Sequence, residues 1–171
     1  MSDSRNRKGE KPMGVGIIGV GNIAGQYFDT LEKLDAVEVV AVADLDRGRA
    51  EAAASARKIP ALEVDELLAS RDVGIVLNLT VPAAHGDVDL AAIGAGKHVY
   101  AEKPLALSLA SGQRIIAQAQ AAGLRVGSAP DTFLGMGLQT SLDALTAGWI
   151  GQPFAASAFW GTPGHEQWHP N

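Results

Sequence analysis

A short apolar run, Val15 to Ile18, passes directly into Gly19-Val20-Gly21-Asn22-Ile23-Ala24 and then into a stretch of helical character reaching about Lys33. Strand, glycine turn and helix in that order match G-x-G-x-x-G/A, the fingerprint that opens a dinucleotide-binding βαβ unit. Each small residue has a role that its size dictates. Gly19 permits the tight turn, Gly21 lets a pyrophosphate approach the backbone, and Ala24 lets the helix pack close to the strand. Amides at the helix start, those of Asn22 and Ile23 among them, lack intrahelical acceptors and so face the phosphates. A glycine turn that merely joins strand to helix has the same local pattern, and the rest of the chain has to separate the two readings.

The next run, Val37 to Ala43, reads as a second strand and ends in Asp44, 20 residues after Ala24. A dinucleotide fold needs an acid at that spacing, because a carboxylate accepts hydrogen bonds from the adenosine ribose hydroxyls and repels a 2'-phosphate. NAD is therefore favoured over NADP. Two alternatives stay open. Asp44 or Asp46 can serve as N-cap of the helix that begins near Arg47. Arg47 and Arg49 can pair with a 2'-phosphate, or stand as solvated helix residues.

Beyond this unit, Val- and Ile-rich runs keep alternating with Ala-rich stretches of helical length, which predicts an α/β fold with a doubly wound parallel sheet, the Rossmann arrangement. The helix at 46–57 leads to a short segment around Pro60 to Glu63 and a helical turn from Val64 to Ser70. Strands are expected at 73–79, at His98 to Ala101 and at Leu124 to Ser128. Ligands in such sheets bind at the carboxyl ends of the strands. The residues there are Thr80, Pro82 and His85 after one strand, and Glu102-Lys103-Pro104 after the next. His85, in the first turn of its helix, can hydrogen-bond a cofactor or be a satisfied structural histidine. Ser108 is a plausible N-cap for the last helix of this part and Gly123 its stop.

Composition narrows the function classes. With 171 residues, 47% hydrophobic and 19% charged, the chain can bury a sizeable core. No run is long and apolar enough to span a bilayer, and MSDSRNRKGEKP has no apolar signal core, so neither a membrane nor a secretory role is signalled. A net charge of -5 argues against a nucleic-acid surface. Zero cysteines exclude disulfides and thiolate metal sites and fit a reducing compartment, so the cytoplasm is the default expectation.

GVGIIGVGNIA, Asp44 after the second strand, Thr80 with His85 five residues on, and above all AGKHVYAEKPLA from Ala95 to Ala106 resemble the Gfo/Idh/MocA oxidoreductases, the glucose-fructose oxidoreductase and inositol dehydrogenase family. One departure is visible: Thr80-Val81-Pro82 stands where the family usually has Thr-Pro-Asn. The resemblance implies that Lys103 lies beside the nicotinamide and the substrate, where an ammonium can anchor a hydroxyl or stabilise a developing alkoxide. It implies an NAD-dependent oxidoreductase acting on a sugar, cyclitol or polyol. The competing reading is a non-catalytic dinucleotide-binding module or sensor. Candidate cofactor contacts are Gly19, Gly21, Asn22, Ile23, Asp44, Thr80, His85, Glu102 and Lys103, with Lys103 also the candidate catalytic group. A homo-oligomer is admitted by the pattern and not specified by it.

Family members are longer than this chain, and their second half is an α/β domain carrying the substrate pocket. Residues 1–12, polar, without periodicity and ending in Pro12, read as a disordered tail, and the resemblance implies a nucleotide-binding domain over 13–128 and in 129–171 a linker, a crossover helix and the first strand of a truncated second domain. Within that last part, Ala129 to Gly137 reads as a loop, Thr140 to Ala147 as the helix closed by Gly148, and Pro153 to Trp160 as the strand. His165, Glu166 and His169 gather metal-ligand residue types, but two histidines four apart off a helix are a weak signal, and no metal is assigned.

Overall fold

The structure is a computed structural model that describes residues 11–130, 132–159 and 161. The expected tail lies outside the described residues except for Lys11 and Pro12. The chain divides into two compact units, Met1–Asp131 and Thr132–Asn171.

The first unit alternates strands and helices: β1 (Met13–Ile18), α1 (Ala24–Leu31), β2 (Val37–Ala43), α2 (Arg47–Arg57), α3 (Val64–Ala69), β3 (Ile75–Asn78), α4 (Pro82–Gly94), β4 (His98–Ala101), α5 (Leu109–Ala121) and β5 (Val126–Ser128). All ladders are parallel, and the sheet order is β2-β1-β3-β4-β5. The chain thus builds outward from β1 to β2 and then returns to lay β3 on the other side of β1. This reversal opens a crevice at the carboxyl ends of β1 and β3, the place where doubly wound sheets take ligands.

Sequence periodicity explains why helices cover both faces. Along β1, Val15 and Ile17 join Ala24, Phe28, Val42, Ala54 and Leu77 in one apolar cluster on the side of α1 and α2. Ile18 faces the other way, into a cluster with Leu67, Val76, Ile93, Val99 and Ile115 beneath α3, α4 and α5. Alternate residues of a strand point to opposite faces, so a run apolar at every position needs cover on both. On the first side the Arg57 guanidinium lies 3.7 Å from the centre of the Phe28 ring, an attractive contact of a cation with an aromatic face.

Two expected strands contract, the first of them from 73–79 to Ile75–Asn78. The short segment at Pro60 to Glu63 makes an isolated parallel bridge, Val42 with Ala61. Pro60 has no amide to extend it. The run at 124–128 pairs only over Val126–Ser128.

The second unit holds a 3-10 turn at Thr132–Leu134 and the helix α6 (Met136–Thr146), followed by Gly148 at φ +76°. The helix starts four residues ahead of Thr140, through Gly137, because a glycine near a helix start is only mildly unfavourable. The strand expected at Pro153 to Trp160 is not formed over the described residues 153–159, where Phe154 and Phe159 are exposed. A strand exists only through its ladder, and no described segment pairs with this one. No helix among the described residues is long and apolar enough to cross a membrane.

Candidate functional site

The glycine loop is shaped by its neighbours as much as by its own residues. Gly19 sits at φ +92°, and a Cβ there would lie 2.7 Å from the Leu79 carbonyl carbon and 2.8 Å from the Thr80 nitrogen. Only glycine can make this turn against the backbone that follows β3. At Gly21 a Cβ would meet nothing within 4 Å, so the loop turns an open face outward. The helix α1 then begins with Ile23 in the capping position, no side chain on its free amides and no acidic residue in its first turn. Ala24 N donates to Gly21 O at 3.1 Å, while the amides of Asn22 and Ile23 have no acceptor among the described residues. Unsatisfied amides at the positive end of a helix, beside a face that glycine keeps clear, suit a phosphate.

Asp44 stands half-buried at the end of β2 and is tied to this loop. Its Oδ2 accepts from the Val20 amide at 2.8 Å and its Oδ1 from the Asp46 amide at 2.9 Å. The helix α2 is capped by Asp46, whose Oδ1 accepts from Arg49 N at 3.1 Å. The alternative that Asp44 is the cap is thereby closed. A carboxylate has about four lone-pair positions, so two hydrogen bonds leave acceptor capacity beside the loop. Arg47 is paired with Glu51 and Glu63, and Arg49 lies 3.5 Å from Asp46. Both guanidiniums face carboxylates and are compensated without a 2'-phosphate.

At the carboxyl ends of β3 and β4 the remaining candidates fall into two groups. Lys103 is exposed, and its peptide bond to Pro104 is cis. Glu102 beside it is engaged: Oε1 accepts from the Tyr27 hydroxyl at 2.7 Å and Oε2 from the Lys103 amide at 2.9 Å. It straps the loop after β4 to α1. Thr80 gives its hydroxyl and its amide to Asn78 Oδ1, at 2.6 and 3.2 Å.

His85 departs from the expectation of a cofactor contact. It is 1% exposed, with Nδ1 2.7 Å from the Pro104 carbonyl oxygen and Nε2 2.9 Å from that of Thr80. Because α4 starts at Pro82, the fourth helical residue turns inward, and both ring nitrogens are used by backbone. One turn on, Asp89 is fully buried; its Oδ1 accepts from Asn78 Nδ2 at 2.7 Å and its Oδ2 has no hydrogen-bond partner. Burial pushes the Asp89 carboxyl above its ordinary range, while the Asn78 amide and the charge of His85 pull it back. Asn78 Nδ2 also donates to the His85 carbonyl at 3.1 Å.

Asn78, Asp89 and Tyr27 are the residues that sequence reasoning missed. A signal was present for the first two: Asn78 is a lone amide in the apolar run VGIVLNL, and Asp89 follows His85 by one helical turn inside an apolar helix. Tyr27 carries no such mark, since its partner is 75 residues away. His165, Glu166 and His169 lie outside the described residues.

Residues 13–129 match the family model of the Gfo/Idh/MocA proteins, described as an oxidoreductase family with an NAD-binding Rossmann fold. The chain is 39% identical over 115 residues to inositol 2-dehydrogenase of Salmonella typhimurium, covering 65% of this chain and 34% of that protein. With 1,5-anhydro-D-fructose reductase of Ensifer adhaerens it shares 33% over 146 residues, 84% of this chain and 44% of the reductase. Among solved structures, GenD2 from gentamicin A biosynthesis, in complex with NAD, superposes with a TM-score of 0.70 at 26% identity, over 72% of this chain and 36% of that one. The chain thus spans between a third and a half of the length of these relatives.

Proposed function

The chain belongs to the Gfo/Idh/MocA family of oxidoreductases, and from that premise we propose that it binds NAD for the interconversion of a hydroxyl and a carbonyl on a sugar, cyclitol or related polyol. The observation that carries this reading is the Asp44 carboxylate fastened to the Val20 amide of the glycine loop. That bond holds a carboxylate suited to the ribose against a loop suited to the pyrophosphate. The inositol dehydrogenase and anhydrofructose reductase relatives supply the substrate class.

In this reading the amides of Asn22 and Ile23 hold the pyrophosphate over the open face of Gly21. Asp44 accepts from the ribose hydroxyls and disfavours a 2'-phosphate by charge repulsion. When bound, NAD supplies the nicotinamide carbon that takes a hydride. Lys103 sits at the strand end with its ammonium toward solvent; it would anchor the substrate hydroxyl and stabilise negative charge on that oxygen as its proton leaves. Glu102 and Thr80 border the cofactor from the strand ends, where their hydrogen bonds to Tyr27 and Asn78 orient them and leave acceptor capacity for it.

Isothermal titration of the chain with both cofactors tests the proposal. NAD should bind at least tenfold more tightly than NADP, a difference of about 1.4 kcal/mol. Tighter NADP binding would overturn the Asp44 assignment and return Arg47 and Arg49 to the site.

A further inference from the structure

Two loops border the crevice at the carboxyl end of the sheet: Leu79–Val81 after β3, and Glu102–Pro104 after β4. They belong to different strands and could vary in separation. One side chain joins them, since the imidazole of His85 reaches the carbonyl of Thr80 with Nε2 and that of Pro104 with Nδ1, at 2.9 and 2.7 Å. Neither carbonyl can donate. A neutral imidazole has one N–H and one bare lone pair, so with either tautomer one of these short contacts would set lone pair against lone pair. Only the ring that carries a proton on each nitrogen satisfies both.

A cation in so dry a place needs a partner, and α4 supplies one. Asp89 is fully buried one turn after His85, with its Oδ2 lacking any hydrogen bond; burial pushes its carboxyl up, and the Asn78 amide and the charge of His85 act in the opposite sense, toward the carboxylate that would balance the ring. Asn78 orients both ends of the assembly. Its amide donates to Asp89 and to the His85 carbonyl while its oxygen accepts from Thr80. Both ring nitrogens then donate to the carbonyls they face, which neither tautomer of neutral histidine achieves.

We propose that His85 is a positioning residue, a buried imidazolium balanced by Asp89 that clasps the loop after β3 to the loop after β4 and thereby sets where Lys103 stands. The clasp stands on its own geometry, while its bearing on the nicotinamide half of the site rests on the NAD-binding reading. It acts through Pro104, the residue next to Lys103, and touches no ligand. The adenosine half, built from Gly21 and Asp44, is independent of it.

Nitrogen-15 NMR of the histidine rings in the ligand-free chain at neutral pH, with His85→Gln to assign the signal, tests the charge state. Both His85 nitrogens should appear as N–H, with protons that exchange slowly, and Asp89→Asn should remove one of them. A ring with one protonated and one bare nitrogen in the parent chain would overturn the proposal. Amide hydrogen exchange then tests the clasp. In Asp89→Asn, amides of residues 80 and 103 should exchange at least tenfold faster, with those of β1 and α2 unchanged; equal rates throughout would also overturn it. Parallel titration with NAD and with ADP-ribose separates the two readings. Loss of NAD affinity in Asp89→Asn with ADP-ribose affinity kept supports a role at the nicotinamide half, and equal loss of both overturns that role. If the parent chain binds neither ligand but shows the doubly protonated ring, the cofactor reading fails and the clasp stands.

Discussion

A single missing side chain keeps the outer face of the glycine loop open. The two glycines of the loop differ in why they are glycine: at position 19 any Cβ collides with backbone 2.7 Å away, whereas at position 21 it meets no protein atom within 4 Å. Gly21→Val should therefore fold normally and yet lose affinity for NAD and NADP alike, by tenfold or more, because the methyls enter space that only the pyrophosphate would use. Titration checks affinity and a melting curve checks folding. Both glycines were legible in the sequence from strand, turn and helix in succession. The distinction between them was not, since Leu79 and Thr80 arrive at Gly19 from 60 residues away along the chain. The same holds for the two aspartates after β2. Sequence spacing singled out Asp44 and left capping open; the structure gives the cap to Asp46 and the loop contact to Asp44.

Elements in this fold end where local chemistry stops them, and the cap of α2 shows how far local and functional roles separate. Asp46 accepts from the Arg49 amide at the helix start. Asp46→Ala removes that acceptor and should lower unfolding free energy by about 1 kcal/mol, read by urea denaturation. NAD affinity should stay within about twofold, a difference of some 0.4 kcal/mol, because Asp44 keeps its hold on Val20. A loss of affinity as large as the loss of stability would mean that α2 and the ribose site are coupled. Helix starts at Ala24, Arg47 and Leu109 were readable from turn residues and caps, among them Ser108, whose side chain accepts from Ser111 N. Strand lengths were less so. Hydrophobic runs mark what can be buried, whereas pairing stops where a neighbour stops, as the single bridge at Ala61 shows.

For the chain as a whole, binding and turnover come apart. The described residues of the first unit contain the glycine loop, Asp44 and Lys103, but they leave no histidine to move a hydroxyl proton at this edge. His85 spends both ring nitrogens on carbonyls, and His98 opens β4 at the opposite end of the strand, accepting from the Arg125 amide. The expected outcome is a chain that binds NAD and shows no appreciable reduction of it with myo-inositol, glucose or other polyols. Absorbance of the reduced cofactor follows turnover, and NAD at 100 times its Kd should add about 2.7 kcal/mol of stability, a rise of several degrees in Tm. Turnover proportional to protein concentration would show that a proton acceptor is present after all.

The sequence by itself determined the fold class and the places of the glycine loop, of Asp44 after β2 and of Lys103 after β4, because each is written in contiguous residues whose spacing follows from helix and strand geometry. Tertiary structure decided what those residues do to one another. It turned His85 from a candidate ligand contact into a link between loops, engaged Glu102 with Tyr27, and gathered Asn78, Asp89 and Thr80 into one buried group. The physical reason is that a hydrogen bond between distant segments depends on register and on which face of a strand or helix a side chain takes. Parallel pairing of β1, β3 and β4 brings the ends of those strands together and so places 78, 80, 85 and 104 within reach, which no local pattern encodes.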